Sequence, residues 1–300
     1  MRIGFMGSVE FSEHALRLIL ELSNTEDVQL VGVVAKTKSK FNSDFVDIGK
    51  VARSAGVDVE KVHYYSNSKE AEEFLRKVKP DVIYCFGWSS ILGKGILSIP
   101  KKGVIGFHPA KLPANRGRHP LVWALTLGLT ETGSTFFQMD TDADSGPIIS
   151  QKTVPIAPNE VARTLYDKVV AVAMEQIRVF TRELVADFEV LKVQNSSHAN
   201  SWRKRTIEDG LIDWRMSADS IHNLVRALSE PYVGAIFMFE GHRYTVWATS
   251  VEDKEVAPNI EPGKILNNRK NRVLVKCAGL SSIWLVLVEP ELIIENGDYL

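Results

Sequence analysis

The chain has 300 residues, 45% hydrophobic and 24% charged, which is enough to bury the core of one large or two modest domains. Its 36 Lys and Arg against 37 Asp and Glu leave a net charge of -1, which excludes a global field drawing it to nucleic acid or anionic membrane but leaves room for a local basic patch. With only Cys85 and Cys277 it is not a disulfide scaffold, and no run approaches the roughly 20 apolar residues of a membrane helix or forms a signal peptide, so a cytoplasmic protein without a membrane partner is expected.

Residues 2–6 read as a buried strand, followed by the small turn Gly7-Ser8 and a helical pattern of Phe11, Ala15, Leu18, Ile19 and Leu22. Strand, small-residue turn and helix open a doubly wound sheet. A glycine turn feeding a helix can also bind anions through its backbone N–H groups, which makes Gly7 and Ser8 candidate substrate contacts; the alternative is that Gly7 only makes the turn. A second strand at 28–35 leads to a short basic loop at 36–40. The alternation continues with a helix at 45–55, a strand at 59–64 and a charged helix at 68–78.

Pro80 introduces the continuous apolar run Val82 to Phe86, the pattern of a central parallel strand covered on both faces. Residues 103–107 form another short strand, stopped at His108-Pro109, which places His108 at a strand's carboxyl end, where ligands of open α/β sheets collect. A turn-rich loop with Arg116 and Arg118 follows, then a helix at 120–128 with Pro120 at its first position. Next come a strand at 132–139 and the acidic turn Asp140-Thr141-Asp142-Ala143-Asp144-Ser145-Gly146. This turn lacks the full calcium-loop pattern and the histidines lack paired zinc spacing, so no metal is expected.

A strand at 152–156 precedes a long helix whose inward face reads Leu165, Val169, Val172, Ala173, Gln176, Ile177 and Phe180. Residues 194–201 are polar, small and without periodicity, the pattern of a linker. Beyond them come a helix at 217–228 and short strands at 235–239, 244–248, 272–276 and 283–288, with turn signals at Glu240-Gly241 and Pro262-Gly263. The expected fold class is α/β: a Rossmann-like, doubly wound, mainly parallel sheet in residues 1–193, a linker at 194–205, and a smaller antiparallel OB-like β-barrel in 206–300.

Taken together, Gly106-Phe107-His108, Leu112-Pro113, Arg116-Gly117, Thr132-Gly133-Ser134-Thr135 and Asp144-Ser145-Gly146 resemble the signature of the N10-formyltetrahydrofolate-dependent formyltransferases. That signature runs Asn-x-His, a Leu-Pro and Arg-Gly loop, Thr-Gly-x-Thr, then Asp-x-Gly. Several linked motifs in order are far more specific than a lone histidine. Gly106 departs from it, standing where the family carries Asn. The resemblance extends over nearly the whole chain, and Arg205-Thr206, Asp209-Gly210, Ile212-Asp213-Trp214 and Glu230-Pro231-Tyr232 are particularly similar to the members acting on a nucleotide-linked 4-amino-arabinose.

The resemblance implies N10-formyltetrahydrofolate as co-substrate, bound along Trp88, Ser89, Ser90, Ile91 and Leu92 and by Asp140, Thr141 and Ala143, with plain packing the alternative for Trp88. It implies His108 as acid/base and Asp144 as its orienting and electrostatic partner. Histidine titrates near neutrality, so it can take a proton from an attacking amine and pass one on. The oxyanion of acyl transfer needs donors, and losing one typically costs about 10²–10³ in rate. With Gly106 in place of Asn, either protonated His108 and backbone N–H groups suffice, or Asn115 or another side chain fills the gap, or the protein is catalytically weak.

For the acceptor, a nucleotide-linked amino sugar in surface-glycan biosynthesis is expected, with Asn115, Arg116 and Arg118 as substrate contacts and the arginines pairing phosphates; Arg116 holding its own loop is the alternative. Initiator methionyl-tRNA is the second candidate, weaker because the short loop at 36–40 is poorer than the basic insertion of such enzymes and tRNA needs an extended basic surface. A non-catalytic folate- or nucleotide-sugar-binding relative is the third, motivated by Gly106. The resemblance also implies pairing as a homodimer.

Overall fold

The computed structural model describes residues 1–38, 44–63, 69–188, 191–269 and 272–300. In chain order its elements begin with β1 (Arg2–Gly7), α1 (Glu10–Leu22), β2 (Gln29–Lys36), α2 (Ile48–Ser54), β3 (Val59–Val62), α3 (Lys69–Val78), β4 (Val82–Cys85), α4 (Lys94–Leu97), β5 (Val104–His108) and β6 (Arg116–Gly117). Then come α5 (Pro120–Thr126), β7 (Glu131–Gln138), β8 (Ile148–Pro155), α6 (Ala162–Val185), β9 (Ser201–Trp202) and α7 (Ala218–Leu228). The chain ends with β10 (Ala235–Phe239), β11 (His242–Val251), β12 (Ile265–Arg269), β13 (Arg272–Lys276) and β14 (Ser282–Glu289). Ser39, Lys40, Tyr64 and Ser68, to which the expected loop, strand and helix extend, lie outside the described residues.

The chain divides into two compact units. The first comprises residues 1–117, 133–154 and 168–202, and the second comprises 118–132, 155–167 and 203–300. Within the second unit α5 lies against α7. Gly128, just beyond α5, lies so close to α7 that a Cβ there would sit 2.8 Å from Asn223 Nδ2. Arg226, also on α7, reaches back to the Glu160 carbonyl at 3.1 Å.

The first unit is built on a seven-stranded sheet in the order β3-β2-β1-β4-β5-β7-β8. β1, β2, β3, β4 and β5 pair in parallel, and β5 meets β7 antiparallel, which is the doubly wound, mainly parallel sheet expected. The apolar runs of β1 and β4 are buried throughout their lengths beyond Arg2, as strands covered on both faces must be. The helices contribute the faces their periodicity assigns: Phe11, Ala15, Leu18, Ile19 and Leu22 on α1 are buried, as are Val169, Ala173, Ile177 and Phe180 on α6. Tyr84 Oη, deep in the sheet, is 2.9 Å from Thr181 Oγ1 on α6.

Under the carboxyl end of β5 lies an aromatic cluster. Phe107 stacks on Phe11 at 4.1 Å and leans on Phe136 at 4.9 Å, while Phe136 touches Phe86 and Phe180 at 5.2 and 4.9 Å. Burying each such ring contributes about 1.5–3 kcal/mol, and the rings hold the end of β5 rigidly. His108 is the next residue.

The second unit carries a five-stranded antiparallel sheet, β10-β11-β14-β13-β12. This corrects the expected OB-like barrel to an antiparallel sheet: among the described residues β10 and β12 do not pair. Each edge is instead covered by a short bridge, Leu211 to Ile236 on β10 and Lys264 to Tyr299 beside β12, which occupies edge groups that a barrel would pair with each other. Strand β12, Ile-Leu-Asn-Asn-Arg, is also an addition, since its polar half hides the alternation that marks a strand. No described helix is long and apolar enough to cross a membrane.

Candidate active site

His108 ends β5 opposite Thr135 of β7 and is 4% exposed. Its Nε2 lies 2.7 Å from the carbonyl oxygen of Asn115. A carbonyl only accepts, so Nε2 carries the hydrogen and Nδ1 is the basic nitrogen. Nδ1 faces Asp144 Oδ2 at 3.7 Å, beyond direct hydrogen-bond range but close enough for the carboxylate to attract the ring whenever it carries a proton. The same Asp144 oxygen accepts the backbone N–H of Gly117 at 2.9 Å. The two groups that the sequence places on separate loops are thus brought together.

Both supporting loops are bent at non-glycine residues in the left-handed region, Asn115 at φ 64° and Asp144 at φ 55°. Asn and Asp tolerate this conformation better than other residues, and neighbours must hold it. Gly146 is required by close approach: a Cβ there would lie 1.7 Å from the Gln138 carbonyl oxygen. The Asp-x-Gly element is therefore a steric necessity as well as a source of the carboxylate.

Gly106 has lost the family's amide and also the room for it. A Cβ at 106 would lie 2.8 Å from Met139 Cγ and 3.0 Å from Phe137 Cζ. Apolar side chains from β7 and the residue after it fill that volume, so no replacement polar donor occupies the place.

The expected folate segment divides by exposure. Leu92 is 1% exposed and belongs to the core with Met6, Ile83, Cys85 and Val104, so it acts by packing. Ile91 is 57% exposed, Ser89 is exposed and Ser90 half-buried. Trp88 packs against the same core beneath Lys36 Nζ, which is 4.5 Å from its ring, yet its indole N–H is buried without an acceptor among the described residues. Asp140, Thr141 and Ala143 are exposed, and Asp140 Oδ1 ties the turn by accepting from Asp142 N and Ser145 Oγ at 2.9 and 2.7 Å. An apolar exposed side chain, an unsatisfied ring N–H and a fixed turn fit a flat heterocycle rich in donors and acceptors. Nearby Cys85 has its thiol pushed up to about 12 by burial, against an opposing pull from Lys36, so it is not a nucleophile here.

Gly7 and Ser8 are placed differently from the expectation of anion contacts. Ser8 is fully buried, its N–H and that of Val9 both go to Ser12 Oγ at 3.1 and 3.2 Å, and its hydroxyl donates to the Gly87 carbonyl at 3.3 Å. The two amides just ahead of α1 are spent on the helix's own serine and Glu10 N on the Asp44 carbonyl at 2.9 Å, which makes this turn a packing element. Arg116 turns inward, donating from Nη2 to Gln194 Oε1 at 2.7 Å, which favours the loop-holding reading. Arg118 is exposed.

Three residues of this framework escaped sequence reasoning. Gln151 Nε2 donates to the Leu112 carbonyl at 2.8 Å and to Thr135 Oγ1 at 3.0 Å, and Thr135 in turn donates to the Ala110 carbonyl at 2.6 Å. Gln194 and Asn200, in the expected linker, bond to the loops carrying Asn115 and Asp144. The signal was present as two amide side chains in a polar run, but nothing local distinguishes a clamp from a solvated tether.

The mainly parallel sheet presents an imidazole and a carboxylate at the ends of β5 and β7, the layout of an α/β enzyme site. The chain belongs to the formyl transferase family, matching its formyl transferase domain over residues 1–179 and its C-terminal domain over 204–292, so the catalytic domains of a formyltransferase are present. It is 31% identical to a methionyl-tRNA formyltransferase of Agathobacter rectalis, over all of this chain and 96% of that one. A methionyl-tRNA formyltransferase of Caldanaerobacter subterraneus is 29% identical over 97% of this chain and 93% of that protein. Among solved structures the sugar 3N-formyl transferase WlaRD, determined with dTDP and 5-N-formyl-THF, superposes with a TM-score of 0.73 at 14% identity, covering 97% of this chain and 99% of that one. The N-formyltransferase from Helicobacter canadensis, in complex with folinic acid and dTDP-3-aminofucose, gives 0.73 at 16% identity, covering 95% and 98%.

Proposed function

We propose that this formyltransferase moves the formyl group of N10-formyltetrahydrofolate to the amine of a nucleotide-linked amino sugar, as in surface-glycan assembly. The observation that carries the reading is the arrangement of His108 between the Asn115 carbonyl and the Asp144 carboxylate. When bound, the folate supplies a formyl group on a nitrogen that leaves once protonated. Trp88, Ile91 and the 140–143 turn would hold it. His108 accepts the amine's proton at Nδ1, and the imidazolium so formed is held between a carbonyl and a carboxylate. The same proton can then pass to the departing nitrogen.

The oxyanion needs a donor that Gly106 lacks. Protonated His108 and the side-chain amide of Asn115 are the candidates, and catalysis through proximity and acid/base terms persists beside a loss of about 10²–10³ in rate. The sugar acceptor is supported by what the two solved relatives bind and by a net charge of -1, which suits a small nucleotide better than a tRNA. Exposed Arg118 is the candidate phosphate contact.

Formylation of initiator methionyl-tRNA is the second reading, favoured by the identity to methionyl-tRNA formyltransferases. Incubation with N10-formyltetrahydrofolate and either a panel of nucleotide-linked amino sugars or methionyl-tRNA, read by mass spectrometry, separates the two. A formylated sugar is the expected product; formyl-methionyl-tRNA with no sugar product overturns the proposal.

A further inference from the structure

Gln194 uses every polar position of its side chain on the two loops of the site. Its Nε2 donates to the carbonyl oxygens of Asp144 and Gly146 at 2.9 and 2.7 Å, and its Oε1 accepts from Arg116 Nη2 at 2.7 Å. Asn200 serves the facing residue: its Oδ1 accepts the N–H of Asn115 at 2.6 Å and its carbonyl accepts that of Arg116 at 3.1 Å. On either side of these amides the chain is fastened by backbone pairing, Lys192 with Ile148 and β9 with β6. Residues 192–202 are therefore fastened to both loops at 192, 194 and 200–202.

We infer that this segment is a positioning clamp, with Gln194 setting Asp144 and Asn200 setting Asn115. Asp144 must reach Gly117 N and face His108 Nδ1 with one oxygen, from a left-handed backbone that is unfavourable unless its carbonyl is held. Gln194 holds that carbonyl. Asn115, also left-handed, must aim its carbonyl at His108 Nε2, and the bond from its N–H to Asn200 fixes the peptide plane behind it. The clamp acts on the imidazole from both sides without touching any reacting atom, as an outer layer that orients a catalytic group does. This inference rests on the His108–Asp144 reading of the site.

The test uses the full-length protein with Gln194→Ala, Gln194→Glu, Asn200→Ala and His108→Ala. Three readouts apply: hydrogen exchange at the Gly117 amide, ¹⁵N NMR of the His108 ring across pH, and formyl transfer from N10-formyltetrahydrofolate to dTDP-3-aminofucose as probe amine. Gln194→Ala is expected to speed Gly117 exchange about 10-fold or more, to shift the His108 titration, and to lower kcat about 10–100-fold with KM for the folate within about twofold. Gln194→Glu keeps an acceptor for Arg116 but sets a carboxylate oxygen against two carbonyls, so it should fare no better than Ala. Wild-type turnover in the Glu variant would mean that only the Arg116 bond matters and would overturn the inference. Asn200→Ala should disturb the His108 tautomer while sparing Gly117, which covers the case of a Gln194 variant that fails to fold.

Unchanged Gly117 exchange and an unchanged His108 titration in Gln194→Ala would sink the clamp, whether or not the probe amine is formylated. Turnover retained in His108→Ala would instead sink the catalytic reading and leave the exchange result standing.

Discussion

The His108 ring is held asymmetrically, with Nε2 2.7 Å from the Asn115 carbonyl and Nδ1 3.7 Å from Asp144 Oδ2. The short contact fixes which nitrogen is basic, and the long one leaves space for a proton to come and go. Replacing His108 by Ala should therefore lower kcat by about 10²–10⁴, the usual worth of a positioned acid/base. Asp144→Asn keeps an oxygen for the Gly117 amide but removes the charge, so activity should fall while the melting temperature stays near that of the wild type. Single-turnover formyl transfer alongside thermal unfolding checks both, and a variant with wild-type kcat would contradict the assigned role.

Restoring the family residue by Gly106→Asn should damage the protein rather than improve it. Met139 and Phe137 stand within about van der Waals contact of a bare Cβ, and overpacking a filled core costs about 1–3 kcal/mol. Met139→Ala opens part of that volume. The double variant should be more stable than the sum of the two single losses predicts, a coupling of about 0.5–3 kcal/mol in a double-mutant cycle by urea unfolding. Strict additivity would show that the two side chains do not compete for one space.

The strand ends, the histidine and the acidic turn could be read in advance because each follows from a local pattern: continuous apolar runs at 82–86 and 103–107, proline after His108, glycine after Asp144-Ser145. What could not be read depends on chain segments far apart in sequence. Gln194 looks like any linker glutamine until Asp144 is beside it. Ser8 looks like an anion contact until the Gly87 carbonyl is seen to take its hydroxyl. The barrel failed for a similar reason, since strand existence is local while closure depends on whether the edges at β10 and β12 meet or are covered by Leu211 and Tyr299.

Cys85 and Cys277 are both buried, and burial pushes each thiol up to about 12, against opposing pulls from Lys36 and Lys276. Since the thiolate is the reactive form, neither should be alkylated by iodoacetamide in the native state near neutral pH, and both should react together once urea unfolds the chain. Peptide mass spectrometry after timed labelling measures this. Fast native-state modification of Cys85 would show that the core beside Trp88 opens, contrary to its packing.

His222, on α7, gives the second unit an acid sensitivity of defined sign. Its pKa lies below the ordinary histidine value, chiefly through burial and then through Arg226, with Asp219 and the bond to Thr249 pulling the other way. As pH falls past the ordinary value the unfolded chain takes up a proton that the native one resists, so stability is lost from there down through the depressed folded pKa. His222→Gln removes that proton uptake. It also weakens the 2.9 Å contact with Thr249 Oγ1, so near pH 8 the variant should be less stable by about 0.5–1.5 kcal/mol. As pH is lowered to about 5 that gap should shrink, because only the wild type carries the histidine penalty. Urea midpoints of both proteins across this range decide the matter: converging curves are expected, and curves that stay parallel would mean that His222 titrates alike in the folded and unfolded chain.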